Sequence, residues 1–331
     1  MPEPRIGEAA AVRVSVLMPT RDAQDYIAQA LGSVLQEREI ALEVVVIDDG
    51  SRDASRRVAE SLGDARVRIV DGPQRGIAAC MNAGLAAARG TILMRCDADD
   101  LYPAGRIREQ IEWLAQHPQW DAVCGAFGTI DARGAPVVRQ LSSGIEERLD
   151  LEAELHQGTV RTHLCTFAMR RAAVERVGGF REYFETAEDT DFVLRLGERG
   201  RIAYLPRTAY LYRLHGESIT HRQRNVRRLF FMEMAREFQR QRLGGGTDAL
   251  ELGTAPAPPS GDGSRASSAG AHIQDLLIGQ AWIDVKERRP RAALAHAWRA
   301  AAASPLRPAG WKTVLKVGAS LVLRRGGARA R

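Results

Sequence analysis

Thr91-Ile-Leu-Met-Arg-Cys-Asp-Ala-Asp-Asp100 is an apolar run that stops abruptly at three carboxylates within four residues. The stretch Thr91–Cys96 reads as a strand. The acids that follow repel one another and are costly unless water or a cation neutralises them. The same succession occurs earlier. Glu43-Val-Val-Val-Ile47 leads directly into Asp48-Asp49-Gly50-Ser51, and Asp53 then opens a helix as its capping residue.

Outward from these two stretches the pattern continues. Val14–Met18, ended by Pro19, and Val67–Val70 read as further strands. Helical periods lie between them, over about Asp22–Gln36 (Ile27, Ala30, Leu31, Val34 and Leu35 on one face), from Asp53, and over Ile77–Ala88. Strands alternating with helices imply right-handed β-α-β units and an α/β fold, a Rossmann-like, mostly parallel sheet flanked by helices. Such sheets bind ligands beyond the carboxyl ends of their strands. Both acid clusters fall at that edge.

After Asp121 the pattern becomes mixed. Strands at Val123–Phe127, Cys165–Met169 and Ile202–Leu205 interleave with helices at Pro103–Gln116, Ile145–Leu155 and Glu188–Glu198, and this half is expected to form one side of a cleft. The implied organisation is a catalytic domain over 1–221, a closing helix over 222–243, a linker over 244–271 and a basic helical segment over 272–331. The linker rests on composition: half of its 28 residues are Gly, Pro or Ser, too few apolar groups to offset the entropy of ordering.

Of the 331 residues, 45% are apolar, enough for a sizeable core. The net charge of +6 belongs to the tail, where residues 286–331 carry twelve Lys or Arg and one acid. The rest of the chain is slightly acidic, which argues against a nucleic-acid partner. Cys80, Cys96, Cys124 and Cys165 have no paired spacing, as suits reduced thiols rather than a disulfide frame or zinc site. With no apolar leader and no stretch of about 20 apolar residues, a cytoplasmic protein is expected. The tail, with Trp298 and Trp311 among its basic residues, suggests peripheral contact with the inner face of an anionic membrane or a helical appendage on a partner subunit. In its last helix Trp311, Val314, Leu315, Leu321 and Val322 are expected on one face, with Lys312 and Lys316 off it.

Helix capping accounts for Asp53 but not for Asp97, Asp99 and Asp100 together. An oxygen-only cluster of this kind selects Mg2+ or Mn2+ over zinc and commonly shares the ion with substrate phosphates. Farther on, Glu188, Asp189 and Asp191 fit a solvated helix start when read alone.

Read in order, Val-Ser-Val-Leu-Met-Pro-Thr20, Ile-Asp-Asp-Gly-Ser-x-Asp53, Arg-Gly-Ile-Ala-x-x-x-Asn82-x-Gly-Leu, Asp-Ala-Asp-Asp100, Val-Gly-Gly-Phe180, Glu188-Asp189-Thr-Asp191-x-x-x-Arg195 and Tyr-Arg213-x-His215-x-x-Ser-x-Thr220 resemble the inverting family 2 glycosyltransferases of GT-A fold. The resemblance covers roughly residues 12–221. It implies transfer of a sugar from a nucleotide diphosphate, preferably UDP, to an acceptor hydroxyl of a glycan or lipid-linked acceptor in polysaccharide or glycolipid assembly, with Mn2+ or Mg2+. Pro19 and Thr20 resemble the shelf under the nucleotide, Asp49 the carboxylate that reads the base, and Asp97 the residue near the ribose. Gly76 and Asn82 resemble the loop and helix start beneath the donor. This chain lacks the Arg that often precedes that Asn, so Arg75 or Arg95 is expected to substitute. Asp99 resembles the metal ligand, with Asp100 acting through water and His215 as an additional ligand, while Arg213 resembles the group that closes over the diphosphate. Asp189 resembles the catalytic base, oriented by Glu188 or Asp191. His163 and Asp191 are placed on the acceptor side, and Arg195 is expected to pair with acids on its own helix.

Two rival readings stay open at this level: a nucleotide-sugar-binding scaffold without turnover, and an Asp-dependent phosphohydrolase. The latter usually wants its Asp pair after the first strand, whereas here the pair follows the fourth.

Overall fold

The computed structural model describes residues 13–141, 149–215, 226–260, 269–286 and 288–327. The strands are β1 (Val14–Thr20), β2 (Leu42–Asp48), β3 (Val67–Asp71), β4 (Ile92–Arg95), β5 (Ala122–Asp131), β6 (Pro136–Leu141), β7 (Leu149–Asp150), β8 (Ala168–Arg170) and β9 (Ile202–Leu214). Their order in one mixed sheet is β3-β2-β1-β4-β8-β5-β9-β7, with β6 beside β5. Strands β1 to β4 are mutually parallel where they pair, and β8 runs antiparallel to both β4 and β5. The register sets Thr20 opposite Asp48, and Leu17 opposite both Val45 and Arg95. The carboxyl ends of β1, β2 and β4 therefore share one edge.

Helices α1 (Ile27–Leu35), α2 (Ser55–Ser61), α3 (Ile77–Ala87) and α4 (Arg106–Gln116) follow β1 to β4 in turn. Each parallel strand is apolar on both faces. Val14, Val16 and Met18 pack with Ile27, Leu31 and Val34 of α1 and with Ile107, Ile111 and Leu114 of α4. Leu17, Val45, Ile47 and Leu93 point the other way, toward Ala78, Cys80 and Met81 of α3. Gly84 of α3 makes close packing there possible, since a Cβ would lie 2.8 Å from the Ile47 side chain.

The later helices are α5 (Glu152–His156), α6 (Arg171–Val177), α7 (Glu188–Arg199), α8 (Val226–Gly245), α9 (Ala269–Lys286), α10 (Pro290–Ala303) and α11 (Pro308–Gly327). The chain forms two compact units: Met1–Phe127, Ser142–Tyr212 and Arg227–Ser260 in the first, Gly128–Leu141, Arg213–Val226 and Gly261–Arg331 in the second. In the second, Ala281 and Val285 of α9, Ala293 and Ala297 of α10, and Val317 of α11 make a small core. Gln274 Nε2 donates to the carbonyls of Ala300 and Ser304 at 3.0 and 3.1 Å.

Three local expectations change. The helix expected over Ile145–Leu155 is replaced by β7 and the single short helix α5, with 142–148 outside the described residues. The strand expected at Cys165–Met169 starts as a 3-10 turn, Leu164–Thr166, before β8. The stretch 244–260, expected as linker, belongs to the first unit, because the fully buried Asp248 pairs with Arg181 and Arg242. Two guanidiniums, Arg242 buried and Arg181 half-buried, on one carboxylate anchor a segment whose composition alone reads as loose. Of the rest of the expected linker, 261–268 lie outside the described residues and 269–271 already belong to α9.

Candidate active site

The shared strand edge brings the two acidic turns to either side of β1. At the end of β2 the Asp49 N–H donates to the Thr20 carbonyl at 2.9 Å. Its Oδ1 accepts from the Gln74 N–H at 2.7 Å, so the loop after β3 closes over this carboxylate. Gly72 leaves the necessary room: a Cβ there would lie 2.6 Å from Asp49 Oδ1. Gly76 precedes α3 with φ +95°, a conformation that favours glycine. Asp48 is held separately, accepting from the Ser51 N–H at 3.0 Å. Asp53 Oδ1 accepts from the Ser55 N–H at 2.8 Å, but the N-cap of α2 is Ala54, so Asp53 stands one residue ahead of the capping position expected of it.

At the end of β4, Arg95 organises the second turn. Its Nε donates to Asp97 Oδ1 at 2.6 Å and its Nη1 to Glu188 Oε1 at 3.1 Å. One buried guanidinium thus joins the acidic turn to the start of α7. Tyr210 of β9 braces the same turn, accepting from the Asp97 N–H at 3.0 Å and donating to Asp100 Oδ2 at 2.7 Å. Tyr102 Oη donates to the Arg95 carbonyl at 2.7 Å. Asp97 and Asp99 are half-buried, and Asp100 is fully buried.

Helix α7 opens with three acids, Glu188, Asp189 and Asp191, in its first turn, where the helix dipole favours negative charge. Ala187 enters it in a left-handed conformation, φ 60° and ψ 21°. Burial, with the neighbouring Asp189 as the next cause, pushes the Glu188 carboxyl up to about 7 despite the pull of Arg95. Asp189 is half-buried. Desolvation holds the His163 imidazole below its ordinary value, with Asp189 acting in the opposite sense. His163 lies edge-on to Phe127, ring centroids 4.4 Å apart, and parallel to Tyr212 at 6.0 Å.

Thr20, Asp49, Asp97, Asp99, Asp100, His163, Glu188 and Asp189 all belong to the first unit, with Pro19 immediately before Thr20 on β1. Other expected residues are committed elsewhere. Asn82 clamps the backbone of Phe180, donating to its carbonyl and accepting from its N–H, each at 2.8 Å. That use replaces the donor contact expected of it. Asp191 is fully buried and paired with Arg181 and Arg195, so it supports the fold and not an acceptor. The Arg195 pairing on its own helix is as expected. Arg213 and His215 fall in the second unit. Arg213 is fully buried there, its Nη1 donating to the carbonyls of Asp131 and Ala132 at 3.3 and 3.1 Å.

The bridging role of Arg95 and the brace from Tyr210 were not legible. Arg95 stood only as a substitute phosphate contact, and the strand carrying Tyr210 was expected to end at Leu205.

Among the described residues no group of three or more His, Cys, Asp or Glu converges on a metal position. The carboxylates of this turn are Asp99, with Asp97 beside it and Asp100 behind. One or two carboxylates suit Mg2+ or Mn2+, which retain waters and share phosphate oxygens. They do not suit a closed zinc site.

Comparison with known proteins fits this arrangement. Residues 15–178 match the model of glycosyl transferase family 2. The succinoglycan biosynthesis protein ExoU of Rhizobium meliloti is 30% identical over 244 residues, 69% of this chain and 70% of that protein. The uncharacterized glycosyltransferase EpsJ of Bacillus subtilis is 28% identical over 216 residues, 62% of either chain. The chain thus matches less than two thirds of the length of EpsJ. Among solved structures, S. aureus TarS residues 1–349 in complex with UDP-GlcNAc superposes with a TM-score of 0.59 at 17% identity, over 95% of this chain and 92% of that one. The mixed, mostly parallel sheet flanked by helices is the GT-A class of transferase fold. The chain belongs to glycosyltransferase family 2.

Proposed function

We propose that this chain is an inverting glycosyltransferase that moves a sugar from a nucleoside diphosphate, preferably UDP, to a glycan hydroxyl in polysaccharide assembly. The observation that carries the reading is the placing of Asp49 and Asp97–Asp100 at the same edge, flanking β1, with Glu188-Asp189 tied to the second turn through Arg95. Kinship with ExoU, a succinoglycan biosynthesis protein, supports the acceptor class.

In this reading Thr20 and Asp49 hold the base, with Asp49 accepting from an imino N–H, and Asp97 faces the ribose. Asp99, with Asp100 behind it, would hold Mg2+ or Mn2+, which when bound offsets the charge of the departing diphosphate. Asp189 takes the proton from the acceptor hydroxyl as that oxygen attacks the anomeric carbon opposite the leaving group. A carboxylate is a weak base at neutral pH, so its fixed position beside the acceptor supplies much of the effect. Arg95 holds Glu188 on the adjacent turn, which leaves Asp189 as the outward carboxylate. His163, against Phe127 and Tyr212, lines the acceptor side.

The test is calorimetric titration with a panel of UDP-, dTDP- and GDP-sugars, with and without Mn2+, followed by assay of nucleotide release. Tight, Mn2+-dependent binding of one donor, lost in Asp99→Ala, is expected. Binding of no nucleotide sugar, or identical binding by wild type and Asp99→Ala, would overturn the assignment.

A further inference from the structure

The second unit is built in the reverse sense of an ordinary soluble helical hairpin. Helices α10 and α11 bury their smallest apolar residues. Ala293, Ala297, Ala300 and Ala301 are all at 0% exposure, and a Cβ on Gly310 would lie 2.6 Å from Ala301 Cα. Their largest residues face outward: Trp298 is 55% exposed, Trp311 43% and Leu315 73%. The expected apolar face of the last helix is therefore split. Val314 and Val317 turn inward, Trp311 and Leu315 turn out, and the side chains of Leu321 and Val322 lie outside the described residues.

The outward residues are organised. Trp298 and Trp311 meet edge to face at 5.8 Å, so α10 and α11 present one joint apolar ridge. Trp311 Nε1 donates to the Pro305 carbonyl at 3.0 Å, which fixes that ring at the turn between the helices. Leu306 in the same turn is 99% exposed. Trp311 and Leu315 are four residues apart and share a stripe, as do Lys312 and Lys316 next to it. From Arg288 to Arg331 the chain contains eleven Lys or Arg and no Asp or Glu. Two acids on α9 are already paired. Asp284 is committed to His296 at 2.6 Å, and Asp275 pairs with Arg307 at 3.3 Å.

We infer that the Trp298–Trp311 ridge, with Lys312 and Lys316 beside it, is a docking surface for an anionic lipid bilayer. Trp partitions to the level of the headgroups, where an apolar ring and a polar N–H are both satisfied. Lysines on the adjoining stripe then lie in the negative surface potential of the lipid. None of the described helices is long and apolar enough to cross a membrane, so the hairpin would lie along the surface. An acid-free segment complements a lipid phosphate surface. A second copy of this face would instead set like charges against each other.

The full chain is to be sedimented with phosphatidylcholine vesicles and with vesicles containing phosphatidylglycerol, alongside Trp298→Ser/Trp311→Ser and Lys312→Glu/Lys316→Glu. Expected are binding to the anionic vesicles only, a blue shift of Trp emission on binding, and a loss of at least about tenfold in partitioning for either variant. All four positions are exposed, so far-ultraviolet circular dichroism and the melting temperature should be unchanged. Failure of the wild-type chain to sediment with anionic vesicles overturns the inference, as does sedimentation that both variants retain. A wild-type dimer that Trp298→Ser/Trp311→Ser converts to monomer, without vesicle binding, also overturns it and assigns the ridge to self-association.

Discussion

Arg95 and Glu188 lie 93 residues apart in the chain and meet at 3.1 Å, with side chains 10% and 8% exposed. The same guanidinium holds Asp97. A single cation therefore sets the distance between the acidic turn after β4 and the start of α7. A buried pair is costly to break, because the surviving charge is left without compensation.

Arg95→Met should accordingly lose about 3 kcal/mol of stability and most transfer activity. Arg95→Lys should recover more of the stability than of the activity, since an ammonium cannot hold two carboxylates with the geometry of a guanidinium. Denaturant unfolding and initial rates on the same preparations check this. Equal loss of both quantities in the Lys variant would contradict it.

Glu188 also makes stability depend on pH. Its carboxyl, raised by burial and by Asp189 to about 7, binds its proton more tightly when folded than unfolded. The stabilisation is thus complete below about pH 4.5, the ordinary value for Glu, and is lost as the pH climbs through about 7. The span is on the order of 3 kcal/mol at most, shared with the coupled Asp189. Glu188→Gln should flatten the unfolding free energy against pH over that window, as measured by urea titration at several pH values.

Asp189→Asn is expected to lower the transfer rate by about 100- to 10,000-fold, the usual contribution of a general base. Donor affinity should stay within about twofold, because the residue acts on the acceptor. Pre-steady-state nucleotide release and calorimetric donor binding separate the two effects. A rate near that of wild type would remove Asp189 from its role.

Asp191 predicts the opposite profile. Its carboxylate, 0% exposed, faces Arg181 and Arg195. Asp191→Asn should cost about 3 kcal/mol and lower the melting temperature by roughly 10 °C. At a temperature where the variant is folded, its KM for acceptor should be unchanged. A selective rise in acceptor KM would restore the acceptor role suggested by its place in the motif.

Much of the donor half was legible because the signal is local. The short apolar runs Val44–Ile47 and Ile92–Met94, spaced between helical periods, read as buried strands, and the acids after them then fall at a single edge. The remainder depends on pairs distant in sequence. Nothing near Asn82 says that its amide clamps Phe180, and nothing near Asp248 announces Arg181 and Arg242. The run after Leu205 contains Pro206, Arg207 and Thr208, which read as a strand end. In the structure β9 continues to Leu214 and delivers Tyr210 to Asp100. The burial of Arg213 against the turn after β5 is likewise a tertiary fact, invisible in the motif that contains it.

Cys80, Cys96, Cys124 and Cys165 are all buried free thiols, and burial raises each above its ordinary value, Cys80 to about 12. Thiolate is the form that reacts, so alkylating reagents should find almost nothing to modify while the chain is folded. Opening of the sheet would release all four at once. The rate of thiol labelling in this protein therefore measures how often the molecule comes apart, without any introduced probe.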